Sequence, residues 1–166
     1  MVDMDDARTS DVIVGRQAYS DALAALLLGL PGSAVRECWL VGEDFDGWPL
    51  DSAAVLQALS QWARPAGRRL TLIGADFDRI QIRFPRFGAW RRARAHVFEA
   101  WQPEAPECVG MGCWLLAGQQ AVVLVDALHW RAQRLAEAVA LRALAEKASA
   151  LLHRCQSAWP VTTLGL

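Results

Sequence analysis

The sequence predicts an α/β domain with a mixed, partly parallel sheet, helices on both faces and a long C-terminal helix. Apolar runs at 37–45 and 70–77 indicate strands, and an acidic turn and a helical pattern follow each of them. The stretches Val41–Trp48 and Ile73–Ile80 resemble each other at an offset of 32 residues, about the length of a β-turn-α unit. Two such units in succession favour neighbouring parallel strands joined by right-handed crossovers.

The other elements are predicted from apolar spacing and from helix-breaking residues. They are a short strand at 12–14, strands at 96–101, 112–117 and 121–126, and helices at 16–30, 51–62, 79–95 and 128–157. Pro85 predicts a break in the third helix, because proline cannot continue the hydrogen-bond ladder. We expect residues 1–11 to form a flexible tail and 12–166 a single α/β domain, with the end of the chain along its edge.

Composition excludes several classes of protein. The chain has 166 residues and a net charge of −1, so no global field attracts nucleic acid or anionic lipid. No apolar run reaches the roughly 18 residues that a membrane span needs, and the N-terminus is acidic where a secretory signal is basic. We therefore expect a cytoplasmic protein without membrane partners. The spacing of the four cysteines matches no zinc or redox motif, and we predict no cofactor.

The acidic turns are the first candidate site. Asp44, Asp46, Asp76 and Asp78 follow two predicted parallel strands, so they are expected at one edge of the sheet, where ligands of such sheets often bind. Carboxylate oxygens could hold a divalent cation there. The same residues also favour helix capping and ion pairing, and they lack the staggered ligands of a calcium loop.

An arginine-rich passage is the second candidate. Of 17 basic residues, 9 lie between Arg64 and Arg94, and aromatic side chains alternate with them. Guanidinium groups beside aromatic faces suit contacts with phosphate or nucleic acid. We predict an anion-binding site of Arg79, Arg83, Arg91 and Arg92. An ordinary amphipathic surface with ion pairs to the acidic turns is the competing interpretation.

His96 is the best candidate for a general base, because neutral imidazole is available near pH 7. No recognisable motif places a serine or cysteine nucleophile beside it, and no Walker or dinucleotide motif is present. An enzyme using His96 with Asp44 and Asp76, as a hydrolase or transferase, is therefore kept as an alternative. We expect that the chain is not an enzyme.

Several motifs resemble an uncharacterised bacterial domain family: Asp-Phe-Asp-Gly-Trp-Pro-Leu at 44–50, Gly-Ala-Asp-Phe-Asp at 74–78, Pro-Arg-Phe at 85–87, Trp-Arg-Arg at 90–92 and the closing Thr-Thr-Leu-Gly-Leu. The order of elements is similar to one half of the phospholipase D-like fold. That family's signature is His-x-Lys, in which histidine attacks phosphorus and lysine neutralises the phosphate. None of the three histidines here is followed by a lysine two positions on, so the resemblance implies a degenerate half-domain without that chemistry.

The sequence therefore predicts a non-catalytic binding or regulatory module with phosphate or anion recognition. Its expected partners are a phosphorylated ligand or nucleic acid. A structural homodimer is a further alternative, because the 8 tryptophans exceed what most domains of this size carry and tryptophan is enriched at interfaces.

Overall fold

A computed structural model describes residues 11–160. The strands are β1 (Val12–Val14), β2 (Glu37–Gly42), β3 (Arg69–Gly74), β4 (Phe98–Pro103), β5 (Trp114–Ala117), β6 (Gln120–Asp126), β7 (Arg131–Leu135) and β8 (Cys155–Ser157). The helices are α1 (Arg16–Leu28), α2 (Ala53–Trp62), α3 (Phe77–Arg83), α4 (Pro85–Arg92), α5 (Ala105–Cys108) and α6 (Ala138–Leu152). The predicted tail falls outside the described residues except for Asp11, and so do the closing residues 161–166.

All eight strands form one mixed sheet in the order β1-β7-β6-β5-β2-β3-β4-β8. Strands β2, β3 and β4 run parallel to one another, with Leu40 opposite Leu72 and Leu72 opposite Ala100. Every other pairing is antiparallel. The predicted mixed, partly parallel sheet is therefore confirmed.

The alternation of side chains along the strands creates two apolar layers. On one face, Leu40, Leu72 and Leu115 pack under the helices α1 to α4 in the larger core. On the other face, Val41 and Ile73 pack with residues of α6 in a smaller core. Helices on both faces of the sheet, as predicted, follow from this division.

Local signals explain where the helices begin. The Ser52 side chain accepts a hydrogen bond from the Val55 N–H and caps α2, as expected for serine at this position. Pro85 starts α4 after the non-helical Phe84, which confirms the predicted break between two helices. Phe84, which precedes α4, has no side chain that could cap the helix. Asp51 caps it instead, because its side chain accepts a hydrogen bond of 2.9 Å from the Phe87 N–H.

The predicted final helix at 128–157 is wrong in its extent. Residues 131–135 form strand β7, the helix covers only 138–152, and 155–157 form the edge strand β8. Leu128, which the helical spacing placed on a buried face, is 83% exposed. Asp126 instead accepts from both the backbone and the ring of His129, and this local turn reverses the chain into β7.

Candidate functional site at the two ends of the parallel strands

The acidic turns lie together at the carboxyl ends of β2 and β3. The backbone N–H groups of Ala75 and Asp76 both donate to the Glu43 carbonyl, at 3.0 and 2.9 Å, which fixes one turn against the other. The Asp76 side chain caps α3 by accepting from the Arg79 N–H at 3.0 Å. Asp44 accepts from the Asp46 N–H at 3.1 Å. Helix capping and turn formation thus engage two of the four carboxylates that the sequence singled out, those of Asp44 and Asp76.

Arginines neutralise these turns. Arg83 donates to the Asp44 carbonyl at 2.8 Å and lies 3.2 Å from the Asp44 carboxylate. Arg79 lies 3.5 Å from Asp44 and 3.4 Å from Asp76, and Arg16 pairs with Asp46 at 2.8 Å. Asp78 is exposed on the first turn of α3. Within residues 11–160, no group of three or more His, Cys, Asp or Glu side chains is placed to hold a metal ion.

A crevice of about 600 Å³ opens beside these turns, beyond the ends of β3 and β4. Its charged lining is acidic, from Glu43, Asp76, Asp78 and Glu104. Cys108 also lines the crevice, and its pKa is raised by burial and by the charge of Glu43. No arginine lines this crevice, so an anionic ligand would meet only repulsion there.

A buried cluster behind the first turn was missed at the level of sequence. The Cys113 sulfur lies 3.3 Å from the Tyr19 hydroxyl and accepts a hydrogen bond of 3.2 Å from the Trp48 indole N–H. Burial raises the pKa of Cys113, its hydrogen bonds to Tyr19 and Trp48 lower it, and Asp44 and Asp46 raise it further. The thiol therefore stays protonated near neutral pH and fastens α1 and the first turn to β5. No motif in the sequence connects these three residues.

The opposite edge of the sheet is basic. The segments that lead into the three parallel strands, 33–37, 63–69 and 92–99, hold six arginines and one histidine against two carboxylates, Glu37 and Glu99. We call this surface the basic edge; it consists of Arg36, Arg64, Arg68, Arg69, Arg92, Arg94 and His96. The Arg69 N–H donates to the Arg36 carbonyl at 2.8 Å, so the starts of β2 and β3 are in direct contact.

Helix ends account for part of this charge. α1, α2 and α4 end at Gly29, Ala63 and Ala93, next to the basic edge. Each helix C-terminus carries roughly half a negative charge, which favours nearby cations. Arg94 caps α4 directly by donating to the Trp90 carbonyl at 3.2 Å. The negative charge of three helix C-termini and two carboxylates is smaller than the positive charge of the six arginines, so the basic edge keeps a net positive charge.

Arg91 and Arg92 are neighbours with different environments. Arg91 is 2% exposed, stacks on the Trp159 ring at 3.9 Å and donates to the Trp159 carbonyl at 2.7 Å. Burial, with Arg92 alongside, lowers the pKa of Arg91 to about 10, which leaves it cationic near neutral pH. Arg92 is exposed. The four arginines predicted as one anion site are therefore divided: Arg79 and Arg83 pair with carboxylates, Arg91 is buried, and Arg92 lies on the basic edge.

The structure also separates His96 from the acidic turns. His96 is exposed in the turn before β4, at the amino end of the parallel strands. Asp44 and Asp76 follow the carboxyl ends of β2 and β3, each six residues long. At about 3.3 Å per residue, this places the two groups roughly 20 Å apart. The predicted arrangement in which His96 acts together with Asp44 and Asp76 is not formed.

Comparisons with known proteins bear on the fold. No family model and no curated protein matches the sequence. The archaeal chromatin protein TrmBL2, whose structure shows a novel mode of DNA binding, is similar with a TM-score of 0.64 at 11% identity. Polyphosphate kinase from Porphyromonas gingivalis is similar with a TM-score of 0.58 at 16% identity.

The fold is phospholipase D-like. Polyphosphate kinase has that fold, and the likeness covers 89% of this chain, so the predicted architecture is confirmed. The chain spans only 53% of the chromatin protein and 27% of the kinase. The resemblance to an uncharacterised bacterial family stays a prediction from the motifs. Among residues 11–160, no helix is long and apolar enough to cross a membrane.

Proposed function

We propose that this chain is a non-catalytic binding module that holds the phosphate groups of a polyanion on the basic edge. The observation that carries the proposal is the convergence of six arginines from three separate segments on one end of the sheet. Arginine forks match phosphate oxygens in geometry and charge. A chain of net charge −1 can still bind a polyanion through such a local surface.

The charges of the basic edge are largely available to a ligand. Arg36, Arg64 and Arg92 are exposed, and no carboxylate of the described part of the chain lies within 4.0 Å of their guanidinium groups. Arg69 has a single distant pair with Glu99 at 3.9 Å, and its side chain is 58% exposed. Arg94 is held against the Trp90 ring at 4.9 Å and donates to Ser60 at 3.0 Å, so its position is defined before a ligand arrives.

The names of two structural neighbours refer to ligands of the class proposed here. One is a chromatin protein that binds DNA, and the other is a polyphosphate kinase. DNA and polyphosphate are both polymers rich in phosphate groups. The enzyme alternative with His96, Asp44 and Asp76 draws no support from the geometry, because the two groups occupy opposite ends of the sheet. The homodimer stays a prediction from the tryptophan content.

Binding of a fluorescent ten-nucleotide thymidine oligomer, measured by anisotropy at about 100 mM NaCl, tests the proposal. The double variant Arg64→Ala/Arg69→Ala removes two charges of the basic edge, and we expect it to weaken binding about tenfold or more. The control is Arg131→Ala/Arg142→Ala, which removes two exposed arginines from β7 and α6 and leaves net charge matched. Equal losses in both variants, or no binding by the natural chain, would contradict the proposal.

A further inference from the structure

A large groove adjoins the basic edge. It is a groove of about 990 Å³ at the amino end of β2, around the tip of the β5–β6 hairpin. Arg36 and Gly67 line it where it meets the basic edge, and α1 lines its other side through Ala25 and Leu26. A groove of this size exceeds what one nucleotide needs.

The walls of the groove have a mixed chemistry. Trp39 is only partly buried and lines the groove together with Leu116 and Ala145. Gln119 and Gln120, both exposed on the hairpin, present amide groups that can donate and accept hydrogen bonds. Glu37 is the acidic residue of the lining, and Arg36, its neighbour in the chain, is the basic one. The lining thus combines an aromatic ring and amides with Arg36, an arginine of the basic edge.

We propose that this groove accepts a base of a single-stranded nucleic acid whose phosphates lie on the basic edge. The inference rests on the proposed function and names its ligand class. Stacking on a tryptophan and hydrogen bonding to exposed base edges are the usual means by which single strands are held. A duplex keeps its bases paired and stacked, so it can use the basic edge but not the groove.

Three ligands separate the groove from the basic edge. They are a ten-nucleotide thymidine oligomer, an abasic oligomer of the same length, and a ten-base-pair duplex. The two oligomers have the same number of phosphates, and the duplex, whose two strands carry about twice as many, is compared per phosphate. The thymidine oligomer is expected to bind the natural chain roughly tenfold more tightly than the abasic oligomer, because stacking of one base contributes about that factor. The duplex is expected to show no such gain per phosphate over the abasic oligomer.

Two variants test the groove itself. Trp39→Leu removes the stacking surface, and Ala145→Phe fills the groove from α6; both should lower thymidine binding to the abasic level and leave abasic binding unchanged. Ala143→Phe is the matched control, because Ala143 is exposed on the same helix and does not line the groove. A thermal unfolding curve recorded for each variant shows whether that variant is folded.

The outcomes distinguish the two proposals. Equal affinity of the natural chain for the thymidine and abasic oligomers, or a duplex that shows the same gain per phosphate as the thymidine oligomer, overturns the groove inference and leaves the basic edge intact. Binding of neither oligomer overturns the proposed function as well. Because the comparison of ligands uses the natural chain, it remains decisive even if one variant fails to fold.

Discussion

The adjacent residues Arg91 and Arg92 provide a matched pair, because replacing either by alanine removes one positive charge. Arg91→Ala deletes a buried guanidinium that stacks on Trp159 at 3.9 Å and donates to the Trp159 and Pro160 carbonyls at 2.7 and 3.4 Å. A charged hydrogen bond contributes about 1.5 to 3 kcal/mol, and a desolvated cation–π contact about 2 kcal/mol. The substitution also removes a buried charge and a buried Nε that has no hydrogen-bond partner. Removing these two unfavourable groups offsets part of the lost stabilisation.

We therefore expect Arg91→Ala to lower the free energy of unfolding by about 2 to 4 kcal/mol. For a chain of this length that corresponds to a fall in melting temperature of roughly 4 to 16 °C. Arg92→Ala, at an exposed position, should change stability by less than about 0.5 kcal/mol. Urea unfolding followed by tryptophan fluorescence measures both variants.

In ligand binding the order should reverse, with an effect of Arg92→Ala and none of Arg91→Ala. Arg92→Ala should make the salt dependence of oligonucleotide binding shallower by about 0.7, the value for one lost phosphate contact with a single strand. Arg91→Ala should leave that slope unchanged wherever the variant is folded. If Arg91→Ala proved neutral for stability, or if it reduced the slope as Arg92→Ala does, the separation of the arginines described here would be wrong.

Two further predictions concern parts of the fold on which the site depends. Asp51→Ala removes the cap that Asp51 supplies to the Phe87 N–H and should cost about 1 to 2 kcal/mol in urea unfolding; Asp78→Ala, at an exposed position, is the control and should cost less than about 0.5 kcal/mol. Burial raises the pKa of Cys38 to about 12, so the unfolded chain releases that proton first and stability should fall as pH rises above about 9, by up to roughly 1.4 kcal/mol per pH unit. Other thiols with a raised pKa contribute to the same decline, so Cys38→Ala should make it shallower between pH 9 and 10, and an unchanged slope in that variant would refute the assignment.

The sequence predicted those elements whose pattern is set by their own residues. The apolar spacing of α1 and α2, the runs of β2 and β3, and the break at Pro85 all depend on local periodicity, and the structure has them. The segment 131–135 was mistaken for helix because Leu128, Leu135 and Val139 match a helical spacing, while only Ala132 is buried within the strand. Strand β7 exists because it pairs with both β1 and β6, and such long-range pairing leaves little local signal.

The candidate site followed from the sequence only in part. The acidic turns and their pairing with Arg79 and Arg83 could be foreseen from their place after parallel strands. The basic edge was overlooked, although its members lie at the starts of three predicted strands or within six residues before them, which in a parallel sheet places them all at one end. The burial of Arg91 could not be foreseen, because it depends on Trp159 returning from the end of the chain. The cluster at Cys113 likewise depends on contacts between residues 65 and 94 positions apart.

The most direct test of the basic edge is the dependence of thymidine-oligomer affinity on NaCl concentration. Four to six phosphate contacts predict a slope of about −3 to −4 for the logarithm of the association constant against the logarithm of salt concentration. The triple variant Arg36→Ala/Arg64→Ala/Arg92→Ala should make that slope shallower by about 2, while both proteins keep the same melting temperature within a few degrees. A slope near zero for the natural chain, or the same slope in the triple variant, would contradict the account.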